Sequence, residues 1–430
     1  MKQWLKDQTS SSTAGVPAAP AVVTTVNGAL IQHSTIHSSE ISTNVMHPVN
    51  PTVDRNQAGG PAVNHTQAEP DTESFQDSED EEDDAVGFGV DDVYHGFEED
   101  QMWKLENGTA VENVLHGNYH KLPQDKPTIS LLLRGWIIDL DNPTMESWFT
   151  TSEWNEIKAS FPSLPSPSEH FGRSLMRFHS VKTVEDLRNV LETTSYRPEG
   201  IPYDRELHFD SQWADYVIRS FLFLFETPGQ PLCRNHLENW YTSFIWSPII
   251  DHSFLSLPDM TFESADSVCR ATSLRKNRTR TDPTGRAKTG SRLDGILRGV
   301  EDDYLEFFCM EIANTFQGGV TSTKWLGDSH KLVRAMRDML GRVVQRGGKQ
   351  VVGVVAAGLT LEIWRMFYYK GYTCVLKRER IHTVPTKVER LTDLLMLLSS
   401  VVRIKVYTHI MISLLYTSEG DVGLMCFRPL

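Results

Sequence analysis

The block Asp77-Ser-Glu-Asp-Glu-Glu-Asp-Asp84 places seven carboxylates in eight residues, with no apolar side chain among them. Such a stretch cannot bury enough surface to offset its chain entropy, so no core includes it. Around it, residues 1–125 are rich in Ser, Thr, Ala, Val, Asn, Gln and Pro and keep no sustained helix or strand periodicity. They are expected to form a disordered acidic tail, either passive or used as a partner-binding arm. The same segment accounts for the charge of the 430-residue chain. Of 56 acidic residues, fourteen lie between Asp71 and Asp100, where no Lys or Arg occurs. The other 42 balance the 42 Lys and Arg, so the net charge of −14 belongs to the tail and the folded part is neutral.

Several classes are set aside by composition. The five cysteines are scattered without a close pair, which argues against a disulfide framework and a thiolate zinc site. A reducing, intracellular compartment is expected. No apolar run reaches the roughly 20 residues of a membrane span. The C-terminal apolar stretch is interrupted by Arg403 and Lys405. The N-terminal residues lack the apolar core of a signal peptide. No GxSxG, HExxH, P-loop or GxGxxG motif occurs, and His170, His179, His208, His236 and His252 show no metal-ligand spacing.

Order is expected from about Ile129. Leu131–Leu140 reads as a strand or buried segment, and residues 126–235 otherwise read as mainly helical. Val184–Thr193 has Thr183 as N-cap with Asp186 three residues on. Ser211–Phe225 is an apolar helix stopped by Pro228-Gly229, and Leu237–Trp246 has helical spacing. Residues 236–430 read as an α/β domain. Arg292–Val300 and Tyr304–Ala313 are strand-like runs joined by an acidic turn. Thr323–Arg346 is a long amphipathic helix ended by Gly347-Gly348. Strands are expected at Gln350–Ala357, Leu361–Tyr369 and Tyr372–Arg380, and helix again from about Lys387 to Tyr416. Gly353 fits strand packing better than phosphate binding.

The hairpin carries the chemistry. A two-residue loop, Asp302-Asp303, makes Glu301 face Tyr304, Asp294 face Glu311 and Arg292 face Ala313. Facing carboxylates would lie about 4.5–5.5 Å apart at Cβ. They repel unless a hard divalent cation sits between them, and such an ion suits phosphodiester hydrolysis. A three-residue loop puts the two carboxylates on opposite faces instead, and Asp294 is then an ordinary strand residue. Glu306 reads as a solvated strand residue. From Arg270 to Arg298 nine basic residues stand against two acids, in loop-like sequence. This run suits nucleic-acid backbone contact through Arg275, Lys276, Arg278, Arg280 and Arg292, a nuclear localisation patch, or a plain solvated loop.

The segments Gly290-Ser-Arg-Leu-Asp294-Gly and Cys309-Met-Glu311-Ile-Ala313 resemble the two motif strands of the PD-(D/E)XK nuclease superfamily, over roughly residues 236–380. Trp246-Ser-Pro-Ile-Ile-Asp251 and Thr323-Lys-Trp-Leu-Gly-Asp328 are also similar to segments of uncharacterised protein families of early-diverging fungi. The superfamily resemblance implies a restriction-endonuclease-like mixed sheet flanked by helices. It implies Mg2+ held by Asp294 and Glu311, with Glu238 or Asp251 as a further ligand. The motif lysine expected two residues after Glu311 is Ala313 here; Lys324 is the candidate migrated lysine, and Arg292 a phosphate contact. The implied function is nucleic-acid-directed: a nuclease, or a degenerate relative that binds without cleaving. The competing reading is a non-enzymatic scaffold that holds a protein partner through the acidic tail.

Overall fold

The computed structural model describes residues 89–417 except 124, 125, 279, 282–284, 303, 317 and 318. The acidic block Asp77–Asp84 lies outside the described residues. The expected tail does not extend to residue 125. Val90–His95 (α1) and Val111–Tyr119 (α2) are helices, and Trp103, Leu105, Val111 and Leu115 are buried. Glu112 fixes this segment. Fully buried, it accepts hydrogen bonds from Trp103 N (2.9 Å), Tyr372 N (2.8 Å) and Thr373 Oγ1 (3.2 Å). A truncation at residue 120 would remove part of the fold.

Helices α3 (Pro127–Arg134), α4 (Pro143–Glu146), α5 (Thr151–Ala159), α6 (Glu169–Met176), α7 (Val184–Thr193) and α8 (Arg205–Glu226) follow. The expected cap on α7 is present: Thr183 Oγ1 accepts from Asp186 N, and the Asp186 carboxylate accepts from Thr183 N. Between α3 and α4 lies β1 (Ile137–Asp139), which pairs parallel with β7 (Cys374–Arg378). The run Leu131–Leu140, read as a strand or buried segment, thus divides: its first residues end α3, and Ile137–Asp139 forms an edge strand. The described residues all belong to one compact unit, with no break at 235.

The other strands are β2 (Met260–Val268), β3 (Arg292–Gly299), β4 (Glu306–Ala313), β5 (Gln350–Ala357), β6 (Thr360–Tyr368) and β8 (His382–Thr383). The sheet order is β1-β7-β6-β5-β4-β3-β2, with β8 on β6. Strands β4 and β5 are parallel, joined across the helix α10 (Thr323–Gln345). The apolar stripe of α10, Leu332, Met336, Met339, Leu340 and Val343, is fully buried. Gly353 of β5 permits its close approach, since a Cβ there would stand 2.4 Å from Met336 Sδ. On the opposite face Phe254 packs over Phe308 and Phe262, with ring centroids 5.0 and 5.8 Å apart. The helix α11 (Leu391–Thr417) lies against β5 and β8. It is the one helix, among the described residues, long and apolar enough to cross a membrane. Here it is a packing helix: Lys405 binds Asp210 and Ser256, and Arg403 binds the carbonyls of Pro165 and Leu164.

The β3–β4 hairpin differs from expectation at its loop. Gly299 N donates to Leu305 O, leaving five residues between them, and Arg298 pairs with Glu306. Continued unbroken, that register would put Asp294 and Glu311 on opposite faces. A bulge at Phe307 adds one residue to β4. Beyond it Leu297 faces Phe308, Ile296 faces Cys309 and Gly295 faces Met310. One step further sets Asp294 beside Glu311, on the face toward α10.

The basic run is not a loop throughout. Arg270–Asn277 is a helix (α9), and the buried Glu306 caps it, accepting from Arg270 N and Ala271 N at 3.0 Å each. Glu306 is thus a structural anion, not a solvated one, and it also pairs with buried Arg298 at 3.2 Å. Gly290 completes the junction of α9 and β3, because a Cβ there would stand 1.8 Å from Cys269 O. Gly290→Ala should cost about 1–3 kcal/mol or more in urea unfolding.

His382 is buried in β8; burial, then the Arg380 charge, push its imidazole down to about 4. The folded state keeps it neutral, whereas the unfolded chain protonates it near about 6.5. Its stabilisation is present above that pH and is lost as pH falls toward 4. His382→Gln should therefore show a smaller drop in melting temperature than wild type between about pH 7 and about pH 5.

Candidate active site

Asp294 enters near the start of β3, beside the irregular part of β2. There Ser264 faces Gly295 and Ser267 faces Leu293, and Ala265 and Asp266 bulge out with φ of 65° and 56°. Asp294 Oδ2 accepts a 2.7 Å hydrogen bond from Ile312 N, and this side-chain bond takes an amide of β4 beyond the last paired residues. Glu311, 3% exposed, projects from β4 toward α10. The two sequence-predicted carboxylates thus share one side of the sheet.

The helix α10 brings the cations. Ser322 caps it, its Oγ accepting from Trp325 N at 3.3 Å. Lys324, Asp328 and Lys331 follow at spacings of four and three, which sets them on one helical face. Lys324 Nζ lies 3.0 Å from Asp328 Oδ1. Lys331 Nζ lies 3.0 Å from Glu311 Oε1. The lysine that touches the motif glutamate is therefore Lys331; the expected Lys324 is displaced by its pairing with Asp328. Asp328 is 6% exposed, and its Oδ2 is buried with no hydrogen-bond partner among the described residues.

In this cluster three buried acids stand against two lysines, and the electrostatics follow. Burial pushes the Glu311 carboxyl well above its usual range; Lys331 opposes this, and the Asp294 and Asp328 charges add to it. Burial likewise raises Asp294, countered by the Ile312 N–H and by Lys331 and Lys324. Asp328 is raised by burial against the pull of Lys324. Lys324 loses solvent, yet Asp328, Glu311 and Glu238 together hold its ammonium above the ordinary value. Glu238 is thus within electrostatic reach of Lys324. Among the described residues, neither Glu238 nor Asp328 joins Asp294 and Glu311 in a three-ligand group within 4.8 Å. Asp251 turns elsewhere, accepting from Ser247 Oγ (2.7 Å) and Ser264 Oγ (2.6 Å).

The predicted phosphate contacts are dispersed. Arg292 is exposed and paired with Asp266 at 2.6 Å, so it faces the β2 bulge. Arg275 pairs with buried Asp338 at 2.8 Å. That places α9 along the C-terminal half of α10, about 15 Å from Asp328 at the rise of a helix. Arg278 lines a cavity of about 350 Å³ there, with Arg275, Arg337 and Arg342. Lys276 lies on α9, and Arg280 just beyond it binds Gly285 O. None of these is brought to Asp294 and Glu311 by a contact described above. No protein-family model matches the chain, and no curated protein matches it either.

Glu311 tests the electrostatics of the cluster. A buried carboxyl with a raised folded-state pKa stabilises the fold below its unfolded value near 4.5 and ceases to as pH rises. Glu311→Gln removes that ionisation cost while keeping shape. Its melting temperature at neutral pH should equal or exceed that of wild type, and the gain should shrink on acidification toward about pH 4.5.

Proposed function

We propose that this protein is a nucleic-acid-directed, metal-dependent phosphodiesterase of the PD-(D/E)XK type. The observation that carries this reading is the convergence of Asp294, Glu311 and the Lys331 ammonium on one face of adjacent strands, beneath the long helix. From the Asp strand onward, the order β3, turn, β4, α10 and β5 supports the resemblance, whereas the basic residues ahead of β3 form the helix α9 and not a strand.

The residues fit Mg2+. That ion keeps several waters and uses one or two carboxylates plus substrate phosphates rather than a full protein cage. Asp294 and Glu311 would hold it, with water and substrate completing the shell. The bound ion would supply charge stabilisation and an acidified water. Lys331 replaces the motif lysine from a different element: its backbone is on α10, yet its ammonium reaches the same glutamate. There it neutralises Glu311 and presents a point charge to a phosphate oxygen. Lys324 pairs with Asp328, holds it in place and opposes the upward push of burial on its carboxyl.

The test is cleavage of single- and double-stranded DNA and RNA by the full chain with Mg2+ or Mn2+. Asp294→Asn, Glu311→Gln and Lys331→Met should each lower the rate by at least about 10²-fold. Lys324→Met should lower it less than Lys331→Met. Mg2+ or Mn2+ should raise the melting temperature of wild type but not of Asp294→Asn. Absence of both cleavage and any divalent effect would leave the non-enzymatic scaffold as the surviving reading.

A further inference from the structure

The N-terminal helices hold a second cluster of ligand-type side chains, unconnected with the sheet. His116 lies in the last turn of α2 and His120 caps its end, four residues on. That spacing stacks both imidazoles on one side of the helix. Asp91, in the first turn of α1, reaches across to them. Its Oδ1 lies 2.7 Å from His116 Nε2 and 2.9 Å from His120 Nε2, and the two Nε2 atoms are 3.3 Å apart. Among the described residues, this is the group of three whose ligand atoms all gather within 4.8 Å.

We propose that Asp91, His116 and His120 form a zinc-type site that clips α1 to α2. Hydrogen bonding alone satisfies the arrangement poorly. For both Nε2 atoms to donate to one carboxylate oxygen, both must carry protons, and two N–H groups then face each other at 3.3 Å. Three lone pairs converging on one cation remove that conflict. Zinc–nitrogen and zinc–oxygen bonds of about 2.0–2.1 Å set tetrahedral ligands about 3.3 Å apart, which is the His116–His120 separation and slightly more than the two Asp91 contacts. Imidazole with one carboxylate favours zinc and its neighbours over Mg2+ or Ca2+. Asp91 is about half exposed, so solvent can complete the coordination. The surroundings hold the ligands in place: the Tyr94 ring stacks on His116 at 3.8 Å with planes 4° apart.

The consequence is an anchor at the point where the acidic segment meets the fold. Residues 96–110, closed by such a clip, include the buried Trp103 and Leu105 and the Phe97 ring stacked on Tyr372 at 3.9 Å. A metal bound only in the folded state stabilises that closure.

Zinc titration into the full, chelator-treated chain tests this, followed by calorimetry and thermal melting, with Co2+ as the spectroscopic probe. One strong site per chain, a raised melting temperature and the intense visible bands of tetrahedral Co2+ are expected. His120→Gln, at a half-exposed position, and Asp91→Asn should fold as wild type does and weaken zinc binding more than about tenfold. Asp294→Asn should keep the zinc response in full. The proposal fails if zinc binds and stabilises His120→Gln and Asp91→Asn as it does wild type, or if no stoichiometric binding occurs. It also fails if bound Co2+ gives only the weak bands of six-coordinate ions.

Discussion

The parity of one hairpin governs the candidate site. Side chains along a strand alternate between faces, so a shift of one residue moves every side chain to the other side. Near its loop the β3–β4 ladder runs in the register that separates Asp294 from Glu311. The bulge at Phe307 corrects it, and the remaining pairs carry Asp294 and Glu311 to the face covered by α10. Glu306, one residue before the bulge, is held by the amides that open α9 and by Arg298. Anchoring on both sides of the extra residue leaves it no freedom to slip. The chemistry proposed at Glu311 thus depends on a buried carboxylate five residues earlier that takes no part in it.

Buried charge recurs as a building device in this fold. Glu112 binds three donors and ties α2 to the strand β7 region, and Glu306 ties β4 to α9. Each such carboxylate has its hydrogen bonds made by nearby donors, which offsets the cost of removing it from water. The Asp294–Glu311–Asp328 cluster is built differently. Its acids outnumber its two lysines, and one oxygen of Asp328 is left without a hydrogen bond. Crowding buried acids in this way is poorly arranged for stability, and under the proposed function a cation would offset it.

Much of the element plan was legible. The α7 cap, the span of α10, the strand Gln350–Ala357 and the last helix, expected from about Lys387 and found from Leu391, follow from local spacing and stop signals. The choice of Asp294 and Glu311 followed from the motif strands. The loop that justified their pairing was wrong, and the bulge that rescued it has no local signature. Lys331 was visible in the spacing of Lys324, Asp328 and Lys331 along one helical face. Choosing between the two lysines needs the depth at which α10 crosses β4, and that is set by packing at Gly353 and Met336. The strand β2 was missed because its alternation is weak and its bulge breaks it. Residues 89–123 read as tail because acids and glycines hide the few apolar anchors, Trp103, Leu105, Val111 and Leu115.

The amino-acid sequence by itself determined the separation of charge, the succession of strands and helices, and the two acids worth watching. These are local properties, fixed by composition, caps and periodicity within short windows. Tertiary structure alone decided which face Glu311 shows, which lysine meets it, and that the basic run opens with α9 and ends in β3. It also brought Asp91 to a histidine pair twenty-five residues away. Such outcomes depend on contacts between distant segments, where one inserted residue or one missing Cβ redirects a side chain, and no local pattern encodes them.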